Sequence, residues 1–238
     1  MAVTKTLIHH NWCFVFLVCF VSQSAPAQDL QYLPEFDANL KVNSLLRLTF
    51  EVKGDREAGE QEQFQIGPNV GFYLKPLVRL KDVTAFDLND AKSRFLVLEA
   101  GYRDITAPSA QPENRMIVSA TSNFPLKGSF LISDRNRADL DWQAGRHFTW
   151  RYRNKFSVQR ALPVFAYHLI PYVAAEPYYV AQYSKWSTIA LYAGSLYPVG
   201  KHVQIDSYFE HENNTGGKKN KQDRELGLAL HLYFARAQ

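Results

Sequence analysis

Alternation with a period of two constrains this 238-residue chain more than any other feature. Leu46, Leu48, Phe50 and Val52 share one parity, and Arg47, Thr49, Glu51 and Lys53 the other, the pattern of a strand with one apolar and one polar face. The pattern recurs in Phe64, Ile66, Val70, Phe72 and Leu74, where Gly67, Pro68 and Gly71 predict an irregularity or a strand end. Leu96, Leu98, Ala100 and Tyr102 form a further set, followed by Met116, Val118 and Ala120. Two segments are the clearest. Phe130, Ile132, Ala138, Leu140 and Trp142 alternate with Ser133, Arg135, Arg137, Asp139 and Asp141; Phe148, Trp150, Tyr152, Phe156 and Val158 alternate with Thr149, Arg151, Arg153, Lys155, Ser157 and Gln159. Residues 169–180, 186–196 and 203–211 supply three more segments. The last strand sets Leu226, Leu228, Leu230, Leu232 and Phe234 against Glu225, Gly227, Ala229, His231 and Tyr233. The expectation is an all-β chain of about ten antiparallel strands in an up-and-down arrangement.

A sheet with one charged face can wet that face and bury the other, or close into a barrel that turns the arrangement inside out within a membrane. Beyond the first 27 residues no run approaches about 18 consecutive apolar positions, so any passage through a bilayer has to be made by strands. Residues 1–27 themselves read as a signal peptide. Lys5 precedes an apolar run at residues 12–21, and Ala25 and Ala27 supply the small residues of a cleavage site, predicting a mature start at Gln28. Acylation of Cys19 is the competing reading, but Val18 stands where a small residue is expected. Cys13 and Cys19 both fall in the segment to be removed, so residues 28–238, read as a single barrel domain, carry no thiol. Aromatic residues, at 14%, suit strands and also the interface belts of a membrane barrel. The net charge of +4 is interspersed, with no basic block to follow a phosphate backbone, so nucleic acid is not an expected partner.

Connections support the barrel reading, since outer-membrane barrels have short periplasmic turns and longer outside loops. Counting back from the last strand, residues 212–224 fall outside, residues 197–201 and 124–128 and the chain start fall on the periplasmic side, and residues 53–63 fall outside. Residues 75–93 are long for a periplasmic turn and have room for another hairpin, which would make twelve strands. Glu225, Gly227, Leu230, Leu232 and Phe234 fit the terminal pattern of outer-membrane insertion signals, although residues 235–238 follow the aromatic. The partners this implies are outer-membrane lipid and, during biogenesis, periplasmic chaperones and the barrel-assembly machinery.

The stretch Ser133-Asp134-Arg135-Asn136-Arg137, followed by Trp150-Arg151-Tyr152-Arg153-Asn154, resembles the bacterial family catalogued as domain of unknown function 2490. So do Pro171-Tyr172, Glu176 with Tyr178-Tyr179, Pro198-Val199-Gly200-Lys201-His202, Tyr208-Phe209-Glu210-His211, Asn213-Asn214-Thr215-Gly216 and Leu226-Gly227-Leu228. The similarity runs in order over residues 64–234. It implies an outer-membrane barrel and assigns no activity or functional residue.

An interior charge network is the candidate site: Arg135, Arg137, Asp139, Asp141, Arg151, Arg153, Lys155 and Glu176. Facing Asp141 with Arg151, Asp139 with Arg153 and Arg137 with Lys155 is the preferred register; a slip of two residues would face Arg137 with Arg153. A salt-bridged interior that holds strand register is the plainer reading, and a positively lined lumen that passes small anions the sharper one. No motif joins His147, His168, His202, His211 or His231 to Ser157, Ser184, Ser187, Ser195 or Ser207. His202, Asp206 and Glu210 form no closed ligand set, so neither metal nor cofactor is expected. Two function classes remain: a non-enzymatic outer-membrane barrel, structural or a narrow pore, and a lipid-modifying barrel hydrolase or acyltransferase.

Overall fold

The computed structural model describes residues 31–55, 62–74, 88, 91–108, 110–164 and 167–235. The expected signal peptide and most of residues 75–93 lie outside the described residues. The elements are β1 (Gln31–Lys41), β2 (Leu46–Asp55), β3 (Gln63–Tyr73), β4 (Leu96–Thr106), β5 (Glu113–Leu126) and β6 (Phe130–Gln143). They continue with β7 (Thr149–Arg160), β8 (Leu162–Val164), β9 (Tyr167–Val180), β10 (Lys185–Val199), β11 (Val203–Asn214) and β12 (Lys221–Ala235). Each strand but β8 pairs with two neighbours, β9 joining β7 to β10 and β1 joining β12 to β2, so eleven strands close into a barrel. The short β8 folds back on the start of β9 at one end.

About ten antiparallel strands were expected, with twelve possible; the all-β barrel holds, and its details differ in two respects. Residues 31–41 form an additional strand, and it meets β12 in parallel, Gln31 facing Glu225 and Lys41 facing Ala235. Parity forces the second correction: when an odd number of strands is joined by hairpins, the first and last point the same way. Pro34 lies within this strand but before the pairing with β2 begins at Glu35, and so interrupts no hydrogen bond there. The same odd count places Gln31 at the end of the barrel that carries connections 56–61, 144–148 and 215–220, called here the loop end. The expected chain start at the opposite, turn end is thus overturned. The connection expected at residues 212–224 is shorter than anticipated, because β11 and β12 run on to Asn214 and back from Lys221.

Alternation then decides what faces where. Phe36, Leu48, Phe50, Phe72, Leu98, Val118, Trp150, Phe156, Val173, Leu191, Phe209, Leu228 and Leu230 are among the large apolar side chains exposed on the outer face. Arg47, Arg103, Arg115, Asp139, Arg151, Arg153, Glu176 and Glu225 are buried inside. A polar group interrupts the apolar outer surface halfway along β6 and β7. There Asn154 Nδ2 donates to Asp134 Oδ1 (2.6 Å) and to Asn136 Oδ1 (3.2 Å), and the Tyr152 hydroxyl also donates to Asn136, so the group is largely satisfied within itself.

At the turn end Leu131, Ala161, Ile170 and Leu196 form an apolar cluster, with Tyr172 packed against them. Lys127-Gly128-Ser129 makes the tight turn between β5 and β6, with Gly128 at φ 79° and Ser129 at φ 60°. Across the lumen, Lys92 Nζ reaches inward to donate to Gln159 Oε1 (2.8 Å), and Asn123 Nδ2 donates to the carbonyl of Arg94 (2.9 Å). The segment just before β4 is thereby tied over that end.

Candidate functional site inside the barrel

Because β6, β7 and β9 are consecutive neighbours, their inward side chains form one surface. Asp139, on β6, accepts from Arg137 Nε (2.5 Å) and lies 3.3 Å from Arg151 Nε and 3.8 Å from Arg153 Nη1. Glu176, on β9, is fully buried and is the better satisfied acid. It accepts from Arg153 Nε (3.0 Å) and Nη2 (3.1 Å), from Arg135 Nη2 (2.9 Å) and from the Tyr192 hydroxyl of β10 (3.1 Å). Arg153 also donates to the Tyr178 hydroxyl (2.8 Å), while its guanidinium carbon lies 4.2 Å from the centre of that ring. Lys155 places its ammonium 3.5 Å from the centre of the Tyr192 ring. Asp141 turns the other way, accepting from Arg115 Nε of β5 (2.5 Å), with Arg151 Nε 3.9 Å off. All eight residues anticipated for the network, Arg135, Arg137, Asp139, Asp141, Arg151, Arg153, Lys155 and Glu176, point inward.

Their pairing differs from the preferred register. The structure faces Asp141 with Thr149, Asp139 with Arg151, Arg137 with Arg153 and Arg135 with Lys155, the arrangement slipped by two residues. Two like-charged pairs result, and two causes make them tolerable. The register is fixed by the connection, a tight turn with Gly145 at φ 74° and Arg146 N–H donating to the Gln143 carbonyl (3.1 Å). Glu176 arrives from a third strand and accepts from Arg135 and Arg153 together, which no pairwise count over β6 and β7 includes.

On β2 to β5 a further set lies inside that the sequence reading passed over: Arg103 bonds Glu51 and Asn69, and Arg115 bonds Glu113. The signal was the inward parity of those arginines, the same as that of Arg137. Charge is unevenly spread around the wall. Bases dominate β6 and β7, whereas Glu35 and Asp37 on β1, Asp206, Glu210 and Glu212 on β11 and Glu225 on β12 make the opposite side acidic. A cavity of about 210 Å³ lies between, lined by Arg135, Arg137, Arg153 and Lys155 on one side and Glu35, Asp206, Glu210 and His231 on the other.

The histidines are dispersed. His231 points inward, its Nδ1 2.8 Å from Asp37 Oδ2; His202 Nδ1 meets the Tyr233 carbonyl at 2.9 Å. His211 shares the outward face with Phe209, and His147 and His168 are exposed at the barrel ends. On β12, Glu225 and Gly227 face inward while Leu230 and Phe234 face out; Leu232 shares their parity. Gly227 has a steric role: a Cβ there would lie 2.0 Å from the Tyr208 ring, which covers the glycine from β11.

No family model, curated protein or solved structure matches the chain.

Proposed function

We propose that this protein is an outer-membrane β-barrel without enzymatic activity, exported by a signal peptide cleaved after Ala27, whose interior is a braced ion network and not an open channel. The observation that carries the reading is the inversion of faces: large apolar residues cover the outside and guanidinium and carboxylate groups fill the inside. In water that distribution would expose an apolar belt around the whole barrel, far beyond what a soluble monomer shows. Aromatic rings near the loop end agree with it. Trp142 and Phe148 lie 5.3 Å apart, Trp150 and Tyr179 5.6 Å, and Tyr179 and Trp186 5.9 Å, forming a partial girdle of the kind found at membrane interfaces.

Closure is supported by the side chains that cross the lumen. Glu51 and Lys53 of β2 line the same small cavity as Arg135 and Arg137 of β6, and the turn end is filled by the Leu131 group and by Lys92. The family resemblance fits this picture in a specific way. Its two most characteristic stretches, residues 133–137 and 150–154, are paired strands whose arginines build the network inside while Asp134, Asn136, Tyr152 and Asn154 bond one another outside. We include membership of that family, and the insertion role of Glu225, Gly227, Leu230, Leu232 and Phe234, in the proposal.

Cell fractionation with gel mobility of boiled and unboiled samples tests it. Recovery with the outer membrane and a heat-dependent mobility shift is the expected result; a soluble periplasmic protein without a shift would reverse the assignment of faces. In liposomes no solute-dependent swelling is expected. Swelling with small anions would open the lumen, and lipid products would move the protein to the lipid-modifying class.

A further inference from the structure

The parallel seam between β1 and β12 creates a group that neither strand holds alone. Glu35 and Asp37 are two residues apart on β1 and share its inner face, and the register sets His231 of β12 directly opposite Asp37. One donor atom from each of Glu35, Asp37 and His231 lies within 4.8 Å of the other two, and all three residues are partly buried inside the barrel. On β2, β6 and β9 the inward carboxylates are met by bases: Glu51 by Arg103, Asp55 by Lys53, Asp139 by Arg137 and Arg151, Asp141 by Arg115, Glu176 by Arg135 and Arg153. Lys53 faces Glu35 in register but forms its ion pair with Asp55, at 3.3 Å. Among the described residues, no arginine or lysine pairs with Glu35 or Asp37. Asp37 Oδ1 is moreover buried without a hydrogen-bond donor, although its other oxygen meets His231. A buried acceptor with no donor, beside a second unpaired carboxylate and an imidazole nitrogen, is a site short of one cation.

We propose that Glu35, Asp37 and His231 bind a divalent transition cation of borderline softness, with Zn²⁺ the best fit. Two carboxylate oxygens and one imidazole nitrogen are a donor set suited to that ion, and a hard cation such as Ca²⁺ would need more oxygens and no nitrogen. Ligand bonds to such an ion are about 2.0–2.2 Å long, and the three donor atoms already lie within 4.8 Å of one another. Glu35 and His231 line the cavity, so water or an anionic ligand held there can complete the shell. Asp206, on the neighbouring strand, accepts from the Tyr172 hydroxyl at 3.1 Å and adds negative charge to the same wall.

The site depends on closure of the seam and not on where the barrel resides, so its failure would leave the proposed function standing. The test is titration of the folded, chelator-washed protein with Zn²⁺ alone, with Co²⁺ as a spectroscopic probe. One equivalent is expected to bind, with visible Co²⁺ bands of nitrogen and oxygen ligation. Glu35→Gln and His231→Gln should each weaken binding at least tenfold, with the heat-dependent mobility shift retained as evidence of folding. Glu99→Gln, which changes an inward carboxylate on β4, should bind as the parent does. Absence of stoichiometric binding, displacement of Zn²⁺ by equimolar Ca²⁺, or binding unaltered in folded Glu35→Gln would each overturn the proposal. Should His231→Gln fail to fold, Glu35→Gln decides alone.

Discussion

Glu176 accepts from two arginines and a tyrosine while fully buried, so its charge is the counterweight on which Arg135 and Arg153 depend. Replacing it by Gln keeps the shape and removes the charge, leaving two guanidinium groups without their common acid. The expected loss is about 3–5 kcal/mol, read as a lower temperature for conversion of the heat-dependent band. Arg153→Leu should cost a similar amount, because it strands Glu176 and the Tyr178 hydroxyl together; unchanged thermal stability in both variants would remove the network from the account of stability. Gly227 offers a test of packing rather than charge. Gly227→Ala forces the Tyr208 ring aside and is expected to cost about 1–3 kcal/mol, with Tyr208→Ser restoring most of the loss in the double variant. Absence of that restoration would assign the glycine to assembly instead of packing.

At the level of elements, the seam strand is the most exposed to disruption. Without β1, both β2 and β12 would present unpaired edges, which in an extended sheet invite association with other chains. Deleting residues 31–41 is therefore expected to abolish the mobility shift and give aggregated protein on fractionation, whereas a folded ten-strand barrel would show that the seam is dispensable. The connection from β11 to β12 divides into two parts. Thr215 N–H donates to the Ser187 carbonyl (2.6 Å), Lys185 Nζ donates to the Thr215 carbonyl (2.8 Å), and Gly216 lies against the Tyr183 ring. Residues 217–220 lack such ties. Shortening within 217–220 should leave the melting temperature nearly unchanged, and removal of Thr215 and Gly216 should lower it by several degrees.

Among the described residues, two opposed walls of charge face a small cavity, and the outside is dominated by large apolar side chains, interrupted at mid-strand by the Asp134, Asn136 and Asn154 group. Much of this was legible beforehand. Side-chain direction in a strand alternates strictly, so parity alone assigned Arg135, Arg137, Arg151 and Arg153 to one face and Trp150 and Phe156 to the other. It also separated β2 from β12 with only local information, since each hairpin carries its own turn. What parity cannot supply is which strands meet when the sheet closes. The eleventh strand, the parallel seam and the pairing of Asp37 with His231, 194 residues apart in the chain, arise from closure. The register of β6 on β7 lay beyond it too, because the turn geometry at Gly145 sets it and the resulting like-charged pairs are offset by Glu176 from β9. The sequence by itself thus determined the strands and their two faces, through a local steric rule. Only the tertiary structure decided the strand count, the seam and the ion partners, because those depend on contacts between segments far apart in the chain.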